Sequence, residues 1–315
     1  MFEVVELGEN HLEDAAALVR GHYEAFREQL PLLPSRYAEP GSFLPLLHSM
    51  RGAGPGVAAI HDGHLVGFLS GWLLPSFRGR PAAFSPEWAH AARGDHRRRI
   101  DEAMYTRLAR TWVERGYRTH LVSTLADGDA GRDVWHWLGF GMIAVDAVRS
   151  LEPIQGPVGA VSIRRAGSAD IEEAVALSAA LQRHMAAAPI FLGHTPPGDR
   201  EHFQEWVANP ANALWLAYEG TQAVAFLQQG PANEDACTIL CDEATSSIFQ
   251  AFTQEGMRGR GISSALVNRA LEWARGAGYE RCAVDFEPMN PWATRFWLRY
   301  FQPVCYTMVR HIFGP

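Results

Sequence analysis

The pattern of apolar and polar positions is most informative between residues 247 and 278. The segment Ser247-Ile-Phe-Gln-Ala-Phe-Thr253 is rich in β-branched and aromatic residues, which predicts a buried strand. Beyond residue 261, apolar side chains return every three or four positions up to Gly278, which predicts an amphipathic helix. The helical positions are Ile262, Leu266, Ala270, Trp273, Ala274 and Ala277.

A glycine-rich turn, Gln254-Glu-Gly-Met-Arg-Gly-Arg-Gly-Ile-Ser263, joins this strand to this helix. Amides at a helix start lack intrahelical partners and lie at the positive end of the helix dipole. Arg258 and Arg260 add positive charge, and Gly259 and Gly261 let an anion approach the backbone closely. We therefore predict a phosphate cradle, which is not a P-loop because no Gly-Lys-Ser/Thr follows.

A second motif follows the cradle. Arg281-Cys-Ala-Val-Asp-Phe286 predicts a strand, and Asn290-Pro-Trp-Ala-Thr-Arg-Phe-Trp-Leu-Arg-Tyr-Phe301 comes after it. The cradle fits Arg-x-x-Gly-x-Gly/Ala, with Ser263 in the last place, and the second motif looks like Asn-x-x-Ala-x-x-aromatic-aromatic-x-x-Gly-Phe. In this order the two motifs resemble the GNAT superfamily of acyl-CoA-dependent N-acetyltransferases. The resemblance covers residues 160–313 well and the first half more weakly.

The chain repeats itself at a spacing of about 160 residues. For example, Phe2-Glu-Val-Val parallels Val161-Ser-Ile-Arg, and the segment from Phe140 to Arg149 parallels that from Phe301 to Arg310. Each copy predicts strand, helix or helices, two strands, another strand, helix, strand, helix and strand.

The predicted fold class is therefore α/β (mixed α+β). It consists of two tandem GNAT-like domains, each a mixed, largely antiparallel sheet with helices on both faces. We place a degenerate domain at residues 1–152 and an acyl-CoA-binding domain at residues 160–315. A linker at 152–158 is rich in Pro and Gly.

The two copies differ at the glycine turn. When the repeat is aligned, Arg97 and Arg99 take the places of Gly259 and Gly261. Side chains there would obstruct a pyrophosphate, so we predict that the first domain has lost the cofactor site. Residues 78–82, Arg-Gly-Arg-Pro-Ala, look superficially like the motif but are predicted to be a loop.

The resemblance implies that acetyl-CoA binds the second domain as a co-substrate. Backbone groups of the strand end would bind the pantetheine arm, the turn would hold the phosphates, and the asparagine would contact the cofactor. The implied cofactor-binding residues are Phe252, Thr253, Gln254, Arg258, Gly259, Arg260, Gly261, Ile262, Ser263 and Asn290.

Catalysis needs a neutral amine, and deprotonating a primary amine at neutral pH costs about 4 kcal/mol. Asp285, at a strand end, is the first candidate base, and Glu287 is the second. Trp297 stands where many family members have a tyrosine that protonates the leaving thiolate, and an indole cannot supply a useful proton. Tyr300 or Tyr306 could take that part, or the thiolate could leave unassisted or through water.

Acceptor recognition is predicted only in outline. The family builds an acceptor wall where this chain has residues 189–198, and His184, His194 and His202 could contact a small-molecule or peptide amine. No metal site is predicted, because the candidate ligands do not form a credible set; they are His90, Asp95 and His96.

Composition narrows the class of partner. The net charge of −7 argues against nucleic acid or an anionic membrane, and 47% hydrophobic with 20% charged residues is ordinary for a globular protein. There is neither a bilayer-spanning apolar run nor a signal-peptide pattern, so we expect a cytoplasmic protein; a homodimer is left open. Four cysteines match no zinc ribbon or Cys-x-x-Cys pair and are expected to be reduced packing residues; they are Cys237, Cys241, Cys282 and Cys305.

Two other functions remain open at this stage. A non-catalytic acyl-CoA-binding regulatory protein would keep the cradle and lack an acid and a base, and Trp297 favours it. An NAD-binding Rossmann-type protein is favoured by Gly259-x-Gly261 with Asp285 at a later strand end. The chain after Ser264 is too short to complete a doubly wound domain, which counts against the second alternative.

Overall fold

Each half of the chain has the succession of strands and helices that the repeat predicts, with one additional hairpin in the first half. The computed structural model describes residues 1–94, 96–156, 161–193, 196–233 and 237–313. The first half contains β1 (Glu3–Glu6), α1 (Leu12–Gln29), α2 (Leu44–Ala53), β2 (Gly56–His61), β3 (His64–Ser70), β4 (Trp72–Phe77), β5 (Arg80–Ser85), β6 (His90–Ala92), α3 (Arg97–Glu114), β7 (Thr119–Leu125), α4 (Asp129–Trp137) and β8 (Gly141–Ser150). The second half contains β9 (Ser162–Arg165), α5 (Ile171–Ala186), α6 (Arg200–Ala208), β10 (Ala213–Glu219), β11 (Gln222–Pro231), β12 (Thr245–Thr253), α7 (Ile262–Gly276), β13 (Arg281–Phe286), α8 (Pro291–Tyr300) and β14 (Gln302–His311).

The compact units do not follow the predicted boundaries at 1–152 and 160–315. Unit 1 comprises Met1–Val145, Cys237–Ile239 and Pro303–Pro315, and unit 2 comprises Asp146–Ala236 and Leu240–Gln302. The reason is strand pairing. β14 is antiparallel to β7 of unit 1, from Cys305 opposite Leu125 to His311 opposite Thr119, whereas the last residues of β8 lie beside β13 of unit 2. The end of the predicted linker, residues 157–158, lies outside the described residues.

Unit 1 contains the sheet β1-β2-β3-β6, which is antiparallel throughout, and the ladder β4-β5-β7-β14. The predicted loop at residues 78–82 is wrong in part. Arg78 and Gly79, with φ of 51° and 80°, form the tight turn of the β4–β5 hairpin, and the next three residues already belong to β5. Two successive positive φ angles match the twist of the paired strands, which is why the chain turns there so sharply.

Unit 2 contains a mixed sheet in the order β8-β13-β12-β11-β10-β9. From β9 to β12 the neighbouring strands are antiparallel, and β12 and β13 are parallel. Six of the seven β10 residues are buried, as expected for a strand covered on both faces. On one face Leu214 and Leu216 pack with Phe203 of α6 and Leu177 of α5, while α7 also contacts β10 and β11. Each such apolar side chain stabilises the unit by about 1.5–3 kcal/mol.

None of the helices in the described part of the chain combines the length and apolarity that a membrane span requires.

Candidate functional site

Two neighbouring strands of unit 2 diverge at their carboxyl ends. The parallel pairing of β12 with β13 runs from Thr245 opposite Arg281 to Ile248 opposite Val284, although both strands continue beyond it. On its other side β12 has a register shift at Phe249, where the pairing with β11 skips a residue. A bulge increases the local twist of a strand. In the described part of the chain, the divergence therefore leaves the β13-facing edge of β12 unpaired after Ile248.

The glycine turn follows the unpaired edge. Gly259 and Gly261 have φ of 75° and 79°, in the left-handed region that favours glycine. α7 begins at Ile262, Gly261 supplies no side-chain cap, and the first intrahelical bond runs from Ala265 N to Gly261 O at 3.0 Å. The amides of the first turn consequently have no acceptor within the helix and lie at its positive end. An anion placed there would satisfy them.

Hydrogen bonds fix the turn against the end of β12. The hydroxyls of Thr253 and Ser263 are 2.9 Å apart, and Nε of Arg258 donates to the Thr253 carbonyl at 3.3 Å. The amide of Gln254 donates to the Val224 carbonyl at 3.0 Å. The cradle is therefore preorganised by the chain itself, which lowers the entropic cost of binding a ligand.

A cleft of about 420 Å³ extends from the turn along the diverging strands to α8. Among the described residues that line it are Arg258, Arg295 and Arg299, and no carboxylate. A ligand in the cleft would lie beside these three positive charges, so the cleft is suited to a negatively charged ligand. The lining includes the predicted cofactor residues Phe252, Thr253, Arg258, Gly259, Gly261, Ile262, Ser263 and Asn290.

Two predicted cofactor residues do not line this cleft. The guanidinium of Arg260 contacts the carboxylate of Glu219 and Met257 Sδ, the latter at 3.1 Å. Its positive charge is therefore paired with Glu219 at the surface and does not face the cleft. The backbone amide of Gln254 donates a hydrogen bond to the Val224 carbonyl and so holds the turn in place.

A second, smaller crevice of about 240 Å³ adjoins the cleft. Asp285 and Glu287 line it, and no arginine does so among its described residues. Its Gln250 Oε1 is buried and has no hydrogen-bond partner among the described residues. Leu192, from the loop predicted as the acceptor wall, contributes apolar surface. The crevice thus offers oxygen acceptors to a ligand that carries N–H donors.

The cleft and the crevice meet at a common wall. Both are lined by Leu181, Ala251, Asn290, Ala293 and Trp297. Asn290 caps α8, because its Oδ1 accepts from Ala293 N at 3.2 Å. Trp297 is only 7% exposed, so its ring fills the wall at the position where the family often has a tyrosine.

Of the two tyrosines considered as proton donors, only Tyr300 is a lining residue of the cleft. A Cβ on Gly156 would lie 3.1 Å from its hydroxyl and 3.3 Å from Ser264 Oγ, which places the hydroxyl near the first turn of α7. Tyr306 belongs to unit 1, where the Arg132 guanidinium lies 5.4 Å from its ring centroid.

Aromatic residues at the cleft were missed by the sequence reasoning. The Arg258 guanidinium lies 5.2 Å from the ring centroid of Trp292 and 5.9 Å from that of Phe252. His184, predicted to contact the acceptor, packs against the same two rings, with centroid distances of 5.1 Å to Trp292 and 6.1 Å to Phe252. Burial, and then the charge of Arg258, lower the pKa of His184, which favours its neutral form. Arg258 thus supplies the positive charge of this group.

The other predicted histidines do not contact the aromatic group around Arg258 in the described part of the chain. His202 Nε2 is 2.9 Å from the Gln228 side-chain amide, and its ring packs on Phe203 and Trp206. His194 lies outside the described residues, as does Asp95 of the candidate metal set. His90 of that set is buried in unit 1, where its Nε2 donates to the Ser123 carbonyl at 2.7 Å.

In unit 1 the helix aligned with α7 is α3, which begins at Arg97. Arg97, aligned with Gly259, has Nε 3.8 Å from an Asp101 carboxylate oxygen and Nη1 3.9 Å from an Asp127 oxygen. Its Nη2 lies 2.9 Å from where a Cβ on Gly131 would stand. The guanidinium therefore lies against the start of α4, and its carboxylate partners oppose the binding of another anion.

Comparison with known proteins gives a family match within the second half and structural similarity over the whole chain. Residues 179–301 match the model of the acetyltransferase (GNAT) family. A GCN5-related N-acetyltransferase from Sphaerobacter thermophilus is similar over 99% of this chain and 96% of its own, at 13% identity and a TM-score of 0.59. A tandem GNAT protein from the clavulanic acid biosynthesis pathway is similar over 100% of this chain and 99% of its own, at 13% identity and a TM-score of 0.51. No curated protein sequence matches.

Proposed function

The chain has a tandem GNAT fold with an acetyltransferase domain of that family in its second half, and we propose that this domain transfers an acetyl group from acetyl-CoA to an amine. The observation that carries the proposal is the separation of charge across one wall. An arginine-lined cleft begins at free helix amides, and a carboxylate-lined crevice adjoins it at Trp297. An anionic cofactor and a cationic acceptor would therefore approach each other from opposite sides.

The cleft supports acetyl-CoA through three of its features. The first-turn amides of α7 and Arg258 suit phosphates. The unpaired edge of β12 after Ile248 offers backbone donors and acceptors that suit the amide groups of a pantetheine arm. The apolar surface of Leu181, Ala251 and Ala293 at the common wall suits the thioester end. Acetyl-CoA, when bound, supplies the acetyl group in an activated form.

The crevice supports an amine acceptor. A primary ammonium group would pair with Asp285 or Glu287 and donate to Gln250 Oε1. Asp285 would then accept one proton, which leaves a neutral nitrogen whose lone pair can attack the thioester carbon. Such a base contributes about 10²–10⁴-fold to the rate. The carbon–sulfur bond breaks, the nitrogen gives its second proton to water to become the amide, and the thiolate takes a proton from water or from Tyr300.

Two alternative functions, a non-catalytic acyl-CoA-binding protein and an NAD-binding protein, would each give a different result in the test. The binding of CoA without transfer to any amine would support a non-catalytic acyl-CoA-binding protein. Binding of NADH in place of CoA would support the dinucleotide reading. The acceptor is proposed as a small molecule or a peptide amine, and the crevice volume of about 240 Å³ suits an amine on an aliphatic or aromatic arm.

The test combines calorimetry with a mass-spectrometric transfer assay. Titration with CoA should give one site per chain, and incubation of acetyl-CoA with primary amines should give N-acetyl products. The chain contains no lysine, so acetylation of its own side-chain amines gives no background. Failure to bind CoA would refute the proposal, and CoA binding with no product from amines of different size and charge would refute its catalytic part.

A further inference from the structure

Three side chains of types that can ligate a metal lie together in unit 1, and none of them lines the cleft or the crevice. The carboxylate of Glu87 and the thiols of Cys237 and Cys305 have their ligand atoms within 4.8 Å of one another. Glu87 and Cys305 are buried, and Cys237 is half-buried. The three residues are far apart in sequence, and all belong to unit 1.

The segment 237–239 is fixed in unit 1 by hydrogen bonds to the backbone and to the side chain of Thr238. The hydroxyl of Tyr37 donates to the Thr238 carbonyl at 2.6 Å, and Trp88 Nε1 donates to Thr238 Oγ1 at 3.0 Å. Cys237 is thereby held next to the strand that carries Cys305. Two thiols placed together by such contacts form a preorganised pair of ligands.

Glu87 is held towards the same point. The amide of Ile239 donates to its Oε1 at 3.1 Å, which orients the carboxylate. A buried carboxyl group beside two thiols is stabilised in its charged form by a cation.

We propose that Glu87, Cys237 and Cys305 bind one Zn²⁺ ion, with water as the fourth ligand. Two thiolates and a carboxylate suit Zn²⁺ and do not suit Mg²⁺ or Ca²⁺, which take oxygen ligands. Ligand atoms around tetrahedral zinc stand about 3.5 Å apart, given bonds of about 2.0–2.3 Å. The ligand atoms of Glu87, Cys237 and Cys305 lie within 4.8 Å of one another, so small side-chain movements would bring them to the spacing that zinc requires. Binding displaces the thiol protons, and the carboxyl proton where present, to solvent.

The chain contains a matched control for each cysteine. Cys241 is half-buried like Cys237, and Cys282 is buried like Cys305. Reduced, chelator-treated full-length protein would be titrated with Zn²⁺ against a chromophoric chelator, and with Co²⁺ to detect absorption from thiolate ligands. We expect one equivalent of metal, an affinity at least about tenfold lower in Cys237→Ser and in Cys305→Ser, and no change in Cys241→Ser or Cys282→Ser.

A labelling measurement on the unaltered protein covers the case in which a variant fails to fold. Zn²⁺ should slow alkylation of Cys237 and leave that of Cys241 unchanged. Equal protection of Cys237 and Cys241, an affinity that all four variants share, or reduced protein that forms a Cys237–Cys305 disulfide and binds no metal would overturn the proposal. The readouts are independent of acetyl transfer.

Discussion

Replacing Gly261 with valine tests the glycine turn at a strongly constrained residue. Gly261 has φ of 79° and directly precedes α7. A side chain in the left-handed region costs about 1–2 kcal/mol, and a β-branched one is more strained still. We therefore expect Gly261→Val to lower the free energy of unfolding by about 1–3 kcal/mol while the fold is retained.

The loss of cofactor affinity should be larger than this strain would produce by itself. The valine side chain would stand beside the first-turn amides and keep a phosphate from them. A hydrogen bond to a charged group contributes about 1.5–3 kcal/mol. Losing even one weakens CoA binding at least about tenfold.

Gly278→Val is the matched control. Gly278 also has a positive φ, 89°, and a Cβ there meets nothing within 4 Å. It follows the other end of α7, roughly 20 Å from the turn. Calorimetry with CoA and denaturant unfolding would be run on both variants. We expect similar destabilisation and a loss of CoA affinity in Gly261→Val alone. Equal CoA affinity in the two variants would refute the phosphate cradle.

Three further predictions concern charged residues. Asp285→Asn should lower kcat/KM by about 100-fold with unchanged CoA affinity, whereas Glu287→Gln should have a smaller effect. Arg258→Ala should weaken CoA binding measured by calorimetry, because Arg258 lines the cleft, whereas Arg260→Ala should not, because Arg260 is engaged in a surface ion pair. Burial raises the pKa of Asp101 from 3.8 to about 7. As the pH rises between these values, Asp101 ionises in the unfolded chain before it does so in the folded protein, so the wild type should lose stability. In urea unfolding, Asp101→Asn should gain up to about 4 kcal/mol relative to wild type across that window.

Each of these predictions has a contrary result. Normal turnover by Asp285→Asn would mean that the amine loses its proton elsewhere. Equal CoA affinities in the two arginine variants would mean that the phosphates do not lie against Arg258. A stability difference between Asp101→Asn and wild type that is constant from pH 4 to pH 8 would mean that Asp101 ionises as in the unfolded chain.

The local features of the fold could be predicted from the sequence. The bounds of β13 agree with the predicted strand, and α7 begins at the predicted Ile262. Strand and helix periods are set by side chains a few residues apart, and glycine marks positive φ directly. Helical periodicity could also have identified further residues of the cleft. Trp292, Arg295 and Arg299 recur at helical spacing on α8, and all three line the cleft.

Features that depend on distant parts of the chain could not be predicted. Whether β14 pairs with β7 is decided by long-range packing, so the repeat gives no indication that residues 303–315 group with unit 1. The motif gives Arg258 and Arg260 equal weight, yet Glu219, far away in sequence, draws the second to the surface. The proximity of Cys237 and Cys305 likewise has no signature in their spacing.

Hydrogen–deuterium exchange with and without acetyl-CoA tests the assignment of the cofactor site to the second domain, because it reports binding along the whole of the unaltered chain. We expect slower exchange at residues 251–264, where the unpaired edge of β12 and the first turn of α7 would bind the cofactor. We expect no change at the start of α3, where Arg97 lies with its carboxylate partners. Protection at the start of α3 with none at residues 251–264 would contradict this assignment of the site.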